Sequence, residues 1–405
     1  MTNRKGNLIL ISNVQADNIF AGGAIIRKIL DILPQDLAIK WFYPQIGTAK
    51  QEYLGSLTTR GIQLYPKQNK VYDQPLADWV KRYIRPSIAW RMRIAGQKSY
   101  LKQWVKAWAK EIIKEVGPDD VLWIVMQNES VYLAEILLRQ VPNKVHLTFH
   151  DDCRFDFFDP DNFGVNTEAL RYVISRASSA DVIGHNLRAE FKSTFGLESF
   201  IFRRGFAPGT IKVLAPTAKD TYNLLFVGSS HSDKSWHVAL TQLQKLSPLK
   251  FRIHCFGHTG SWLPGVDAWR ASSSIDNVTF LDGGVVPEAQ LMARKHEFDF
   301  AIFLWDHFEF KSAWMKFSVS TKLTTYLGAG LPMVALISPD NEAHNMFGAG
   351  VGYDLYQASA ATFNSFVQTP DMQAKFDTYI NHAFNEVAFN ADFLNAKAFE
   401  SLRLN

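Results

Sequence analysis

Two groups of side chains in this 405-residue chain are of types that do chemistry. The first is His150-Asp151-Asp152, an imidazole beside two carboxylates at the end of the apolar run Val145 to Phe149. Neighbouring carboxylates raise each other's pKa, which suits one of them to take a proton. The same aspartates also read as caps of the next turn, with Asp156 and Asp159 as surface acids. The second group is built on glycine. Gly228-Ser229-Ser230-His231-Ser232-Asp233-Lys234 follows the run Leu224 to Val227, Gly257 follows Phe251 to Phe256, and Gly22-Gly23 precedes a helical stretch. Glycine lets a backbone approach an anion closely, helix-terminal N–H groups face it, and Lys234 adds charge. These glycines read equally as ordinary turn residues. Neither a dinucleotide G-x-G-x-x-G nor a G-x-x-x-x-G-K-[ST] occurs. His150 to Cys153 lacks paired Cys/His spacing, so no metal site is expected. His231, His254 and His258 near strand ends read as loop residues, and Glu288 as a first-turn acid.

The elements that must position these residues alternate. Asn7 to Ser12, Ala38 to Tyr43, Val121 to Val125 and Val145 to Phe149 are short apolar runs with helical stretches between them. Continuous apolar strands alternating with helices predict a parallel sheet covered on both faces. Arg203 to Asp220 has turn residues and little periodicity, and reads as a linker. The pattern then restarts with Leu224 to Gly228, Phe251 to Phe256, Val278 to Leu281, Phe300 to Leu304 and Pro332 to Leu336, with a helix from Lys322 to Gly328. The expected architecture is α/β: residues 1–210 and 218–385 form two Rossmann-like parallel-sheet domains facing across a cleft, and 386–405 form a helix crossing back to the first. Hydrophobic residues at 47 % and charged residues at 20 % exclude a disordered or fibrous chain. Two cysteines exclude a disulfide framework and read as a reducing cytoplasm, and neither a signal peptide nor a spanning helix is expected.

Ser320-Thr321-Lys322-Leu323-Thr324-Thr325-Tyr326-Leu327 followed by Gly330, Pro332 and Val334 predicts a helix capped by Thr321 and ended at Gly330, with Pro332 barring continuation. It resembles the S/T-K-x-x-E-Y-L-x-x-G-x-P-V-V signature of the GT-B-fold glycosyltransferases, above all family four. Gly22-Gly23, Phe149-His150-Asp151, Ala180-Asp181-Val182-Ile183, Leu225-Phe226-Val227-Gly228 and Asn277 to Gly283 resemble further motifs of that family in order. Three positions depart from it. Thr325 stands where the family has a ribose-binding glutamate, Phe317 where its partner glutamate falls, and Ser229 where an arginine reaches the diphosphate. The departures resemble inverting enzymes such as the xanthan glucuronosyltransferase.

The resemblance implies a transferase moving a sugar from a UDP- or GDP-linked donor to a cell-surface polysaccharide or lipid-linked glycan, without metal or other cofactor. Gly228, Ser229, Lys234, Gly257, Thr321, Lys322 and Thr325 are the expected donor site, and Gly22 and Gly23 the acceptor or phosphate loop. If transfer is inverting, Asp152, and after it Asp151, is the expected base. If it is retaining, His150 is expected on the donor sugar. A nucleotide-sugar epimerase of the same architecture, or a non-catalytic membrane-associated partner protein, are the alternatives.

Charge is uneven. Lys81 to Lys114 holds ten bases and one acid, a local charge of +9 against a total of +4, which leaves −5 for the rest. Trp104 and Trp108 lie on one helical stripe with Leu101, Val105 and Ile112, while Lys98, Lys102, Lys106, Lys110 and Lys114 recur every four residues. With Arg91 and Arg93 upstream, this reads as a surface for anionic lipid, and the protein is expected at the inner face of the cell membrane. A solvated domain helix whose stripe packs on the sheet is the other reading, and both can hold. Nucleic acid is not expected, since no recognition module accompanies the patch.

Overall fold

The computed structural model describes residues 6–12, 26, 29–45, 60–68, 86–156, 159–163, 167–230, 232–305 and 314–402. The chain divides into two compact units, one of residues 1–203 with 389–405, the other of residues 204–388.

The first unit is a seven-stranded parallel sheet. Its strands are β1 (Leu8–Ile11), β2 (Ile39–Gln45), β3 (Gln63–Gln68), β4 (Val121–Val125), β5 (Lys144–Phe149), β8 (Ser179–Val182) and β9 (Phe200–Ile201), with a separate antiparallel pair β6 (Phe155–Asp156) and β7 (Asp159–Phe163). The order is β3-β2-β1-β4-β5-β8-β9. Every residue of β1 and β4 is buried, as central strands covered on both faces require. β3 has no continuous apolar run and holds Pro66. It is tolerated because β3 is an edge, where a missing N–H costs no ladder bond.

The second unit is a six-stranded parallel sheet of β10 (Thr221–Val227), β11 (Lys250–Phe256), β12 (Val278–Gly284), β13 (Phe300–Trp305), β14 (Met333–Ile337) and β15 (Gly352–Asp354), in the order β12-β11-β10-β13-β14-β15. Each sheet grows outward in both directions from a central pair: β1 and β4 in the first unit, β10 and β13 in the second. In such sheets ligands bind outside the carboxyl ends of the strands at that switch point.

The last segment departs from the expected single helix. Glu386–Leu394 is α-helical, and a separate 3-10 turn follows over Lys397–Leu402. Phe393 and Phe399 both pack on His146, with ring centroids at 5.3 and 4.8 Å, and on each other. Six residues apart on a continuous α-helix, the two rings would point about 240° apart. The break lets both face the sheet.

Beneath these rings runs a buried polar row. His146 Nε2 donates to Asp181 Oδ2 at 2.7 Å, Thr148 Oγ1 donates to the same oxygen at 2.5 Å, and Trp123 Nε1 donates to Thr148 at 2.8 Å. Ser179 Oγ lies 2.9 Å from His146 Nδ1 and accepts the Ala398 N–H at 3.2 Å. Asp181 of the Ala180-Asp181-Val182-Ile183 motif therefore joins β5 to β8, and Ser179 ties down the C-terminal segment.

The long helix Pro86–Glu115 carries the basic segment. Trp104 is 6 % exposed and Trp108 1 %, with Val105, Ala109 and Ile112 also buried. The two tryptophans expected at a lipid surface are thus core residues: their large apolar area is removed from water against their own unit. Lys102, Lys106, Lys110 and Lys114 are exposed. Arg91, Arg93 and Lys98 belong to the same helix, but their side chains lie outside the described residues. No described helix is long and apolar enough to cross a membrane.

Candidate functional site

In the second unit the site begins where β10 ends. Gly228 turns the chain with φ +84°, and its N–H donates to Phe256 O at 2.7 Å. Gly257, at the end of the neighbouring strand, has φ +127°, and a Cβ there would lie 2.9 Å from Gly228 Cα. Its own N–H donates to Gly284 O at 2.9 Å. Three adjacent strand ends are therefore glycine, and two of them touch through bare backbone. Only residues without a Cβ permit this approach.

The chain then enters the helix Asp233–Gln244, whose N-cap Ser232 accepts the Ser235 N–H. Lys234 lies exposed in its first turn, and Ser229 is exposed at the loop. A second helix, Thr321–Ala329, begins at the N-cap Ser320, which accepts the Lys322 N–H, and ends at Gly330 with φ +71°. Thr321, expected as the cap, is the first helical residue. The serine one step earlier takes the role with its extended backbone (φ −63°, ψ 131°).

Lys322 is the charge of this site. Its Nζ donates to Ser229 O and stands 4.6 Å from the Phe226 ring centroid. Its methylene stem lies against Gly228, Cε being 3.2 Å from where a Cβ would stand. Among the described residues it has no carboxylate partner. Desolvation by burial lowers its pKa from 10.5 to about 8. A half-buried cation without a counter-ion among the described residues favours an anionic ligand beside it. Thr325 is half-buried one turn on, and Thr324 Oγ1 bonds back to Thr321 O at 2.8 Å. Phe317 is buried, so neither position of the missing glutamate pair bears charge. Glu288 is engaged by Arg204 at 2.8 Å.

In the first unit, His150, Asp151 and Asp152 follow β5 directly. His150 is 3 % exposed, and both ring nitrogens are buried without a hydrogen-bond partner among the described residues. Desolvation lowers its pKa, opposed by the Asp181 carboxylate, so the ring is neutral at pH 7. Asp152 is 3 % exposed and chelated by Arg154: Nη2 at 2.6 Å, Nε at 2.9 and 3.0 Å, with the Arg154 N–H also donating at 3.0 Å. Arg154 in turn reaches Glu190 at 2.8 Å. Both carboxylate oxygens of Asp152 are taken up by Arg154, which works against the base role expected of Asp152 first. Asp151 is half-buried beside it. Sequence reasoning missed Arg154; an arginine two residues after an aspartate was the available signal. Cys153 is buried and desolvation pushes its thiol well above the ordinary range, which makes it inert. Gly22 and Gly23 lie outside the described residues. No group of three or more metal-binding side chains occurs among the described residues.

No family model matches the chain, and no curated protein matches it. Solved structures do. The Candida albicans trehalose-6-phosphate phosphatase N-terminal domain superposes with TM-score 0.66 at 10 % identity, covering 98 % of this chain and 97 % of that one. An Escherichia coli trehalose-6-phosphate structure bound with UDP-2-fluoro glucose gives TM-score 0.62 at 13 % identity, over 97 % and 99 %. A UDP-forming alpha,alpha-trehalose-phosphate synthase from Burkholderia xenovorans, in complex with glucose-6-phosphate, gives 0.60 at 12 %, over 97 % and 100 %. The fold is GT-B. The likeness is one of fold across nearly the whole chain; the family-four and xanthan-type readings rest on the motifs themselves.

Proposed function

We propose that the protein is a glycosyltransferase that moves a sugar from a nucleoside-diphosphate sugar, UDP- or GDP-linked, to a cell-surface polysaccharide or lipid-linked glycan. The observation that carries this is Lys322: a half-buried ammonium with no carboxylate partner among the described residues, set against the Gly228 turn at the switch point of a parallel sheet. That surrounding calls for a phosphate. The glycines 228 and 257 leave the backbone bare for it, and Lys234 and Ser229 border it. Thr325 offers a hydroxyl where the family has a carboxylate, a weaker hold on a ribose, and Thr321 keeps the hydroxyl residue of the signature. The fold shared with structures that hold a UDP-sugar and a sugar phosphate supports the same class of reaction.

The first unit supplies the proton chemistry in this reading. Asp151 is the base that takes the acceptor hydroxyl proton, giving inversion, since Asp152 is committed to Arg154. The neutral His150 offers one donor and one acceptor nitrogen to a sugar hydroxyl. Catalysis needs no metal, because the lysine and the glycine backbone carry the charge of the departing nucleoside diphosphate. The exposed lysines 102, 106, 110 and 114, together with Arg91, Arg93 and Lys98, draw the enzyme to anionic lipid at the inner membrane face, where a lipid-linked acceptor resides.

A thermal-shift and calorimetric screen of UDP-, GDP-, TDP- and CMP-sugars tests the donor. A UDP- or GDP-sugar is expected to raise the melting temperature, and no response to any of them sinks the reading. Flotation with vesicles containing anionic lipid tests the surface. It is expected to weaken with salt and to be lost when Lys102, Lys106, Lys110 and Lys114 become glutamine. Transfer to glucose-6-phosphate in preference to a lipid-linked glycan would replace the acceptor proposed here.

A further inference from the structure

β10 and β13 pair only at Leu224–Phe300 and Leu225–Ala301. Beyond that, β10 stays with β11 out to Val227–Phe256, and β13 with β14 out to Trp305–Ile337. The two central strands therefore part company just below the Gly228 turn. Amides along a parallel strand point alternately to its two neighbours. The Gly228 N–H serves β11, so the Val227 N–H turns toward β13, beyond the last β10–β13 pair. A buried amide left so would be costly.

Tyr326 fills the gap. Its Oη accepts the Val227 N–H at 3.0 Å, and its ring is wholly buried, edge-on to Phe303 at 6.2 Å. Burial pushes the phenol pKa upward, so the hydroxyl stays protonated and neutral. Four residues earlier on the same helix, Lys322 bonds Ser229 O. Positions i and i+4 share a helix face. One face of the Thr321–Ala329 helix thus grips the chain on both sides of Gly228, through Tyr326 on Val227 and Lys322 on Ser229.

We propose that Tyr326 is a positioning residue whose hydroxyl sets the Gly228 turn relative to Lys322, so that glycine backbone and ammonium meet one anionic group together. The proposal rests on the nucleotide-sugar reading. Packing alone does not account for the residue, because phenylalanine would fill the same space without serving the amide.

The test is a double-mutant cycle with UDP as the probe, read by calorimetry at pH 7, on the full chain. Tyr326→Phe is expected to weaken UDP binding about tenfold, the scale of one net hydrogen bond. Lys322→Met is expected to weaken it more, and the double variant to fall within about twofold of Lys322→Met alone, since the hydroxyl acts through the lysine. Hydrogen exchange at the Val227 amide is expected to speed up in Tyr326→Phe. Should Tyr326→Phe not fold, replacing the Val227 amide by an ester removes the same N–H with its side chain kept, and the same tenfold loss is expected. If the factor lost by Tyr326→Phe persists in full beside Lys322→Met, or if Tyr326→Phe leaves UDP affinity untouched, the positioning role is overturned while the donor reading stands; if Lys322→Met leaves it untouched, the placement of Lys322 at the phosphate falls and this proposal with it. If the wild type binds neither UDP, GDP nor their sugars, the donor reading falls and takes this proposal with it.

Discussion

Lys322→Met separates stability from binding in opposite directions. The methionine keeps the stem and removes the charge. In the free protein, desolvation lowers the lysine pKa from 10.5 to about 8. At pH 7 the ammonium is charged in both folded and unfolded states, and the fold bears the whole desolvation penalty, roughly 3 kcal/mol at 1.36 kcal/mol per unit. The variant is therefore expected to melt higher than the wild type in the absence of nucleotide. With Lys322 at the phosphate as proposed, the variant is also expected to lose a charge-assisted bond worth about 1.5–3 kcal/mol, read as a roughly 10- to 150-fold weaker UDP complex. The pH dependence follows with a definite sign. Between about 8 and 10.5 the unfolded chain binds more protons at this lysine than the folded one, so this group's contribution to stability rises with pH across that window. UDP affinity moves the other way: it is level below 8 and falls as the free lysine discharges above it. Calorimetry with UDP from pH 7 to 10, alongside melting curves of both proteins, measures all three effects. A variant that binds UDP within twofold of the wild type, or wild-type affinity that stays flat to pH 10, refutes the placement of Lys322 at the phosphate.

Other changes test the remaining residues. Gly257→Ala meets Gly228 Cα at 2.9 Å and a φ of +127°; a loss of about 1–3 kcal/mol in denaturant unfolding and weaker UDP binding are expected. Asp152→Asn breaks the buried Arg154 pair and is expected to lower stability by about 3–5 kcal/mol, whereas Asp151→Asn is expected to melt like the wild type and lose turnover. Equal turnover in Asp151→Asn and wild type would remove it as the base. Trp108→Ala opens a cavity in the first unit and is expected to cost about 3–5 kcal/mol, seen in chemical denaturation; a change under 1 kcal/mol would return Trp108 to the surface.

The apolar runs of β1, β4, β13 and β14 were legible because a strand buried on both faces has no polar positions to confuse it, and β11 because its buried residues alternate with Lys250, Arg252 and His254. The edges were not: β3 carries Gln63, Tyr65, Pro66 and Lys67, and β15 is three residues long. A strand that satisfies half its bonds in solvent leaves little mark on composition. The helix of Thr321 to Ala329 was visible from its ends, Gly330 most of all, and its cap was displaced by one residue because two adjacent hydroxyls, Ser320 and Thr321, compete for one role.

The type of residue and its distance along the chain placed Lys322, Gly228 and His150 at strand and helix ends; local order alone determines that much, through backbone sterics and hydrophobic period. What only the tertiary structure decided is which neighbour each side chain meets. Asp152 rather than Asp151 is claimed by Arg154, Trp104 and Trp108 turn inward while four lysines turn out, and Tyr326 serves an amide stranded by the parting of two strands. Those outcomes depend on contacts between residues far apart in sequence, and burial and charge compensation are properties of that packing.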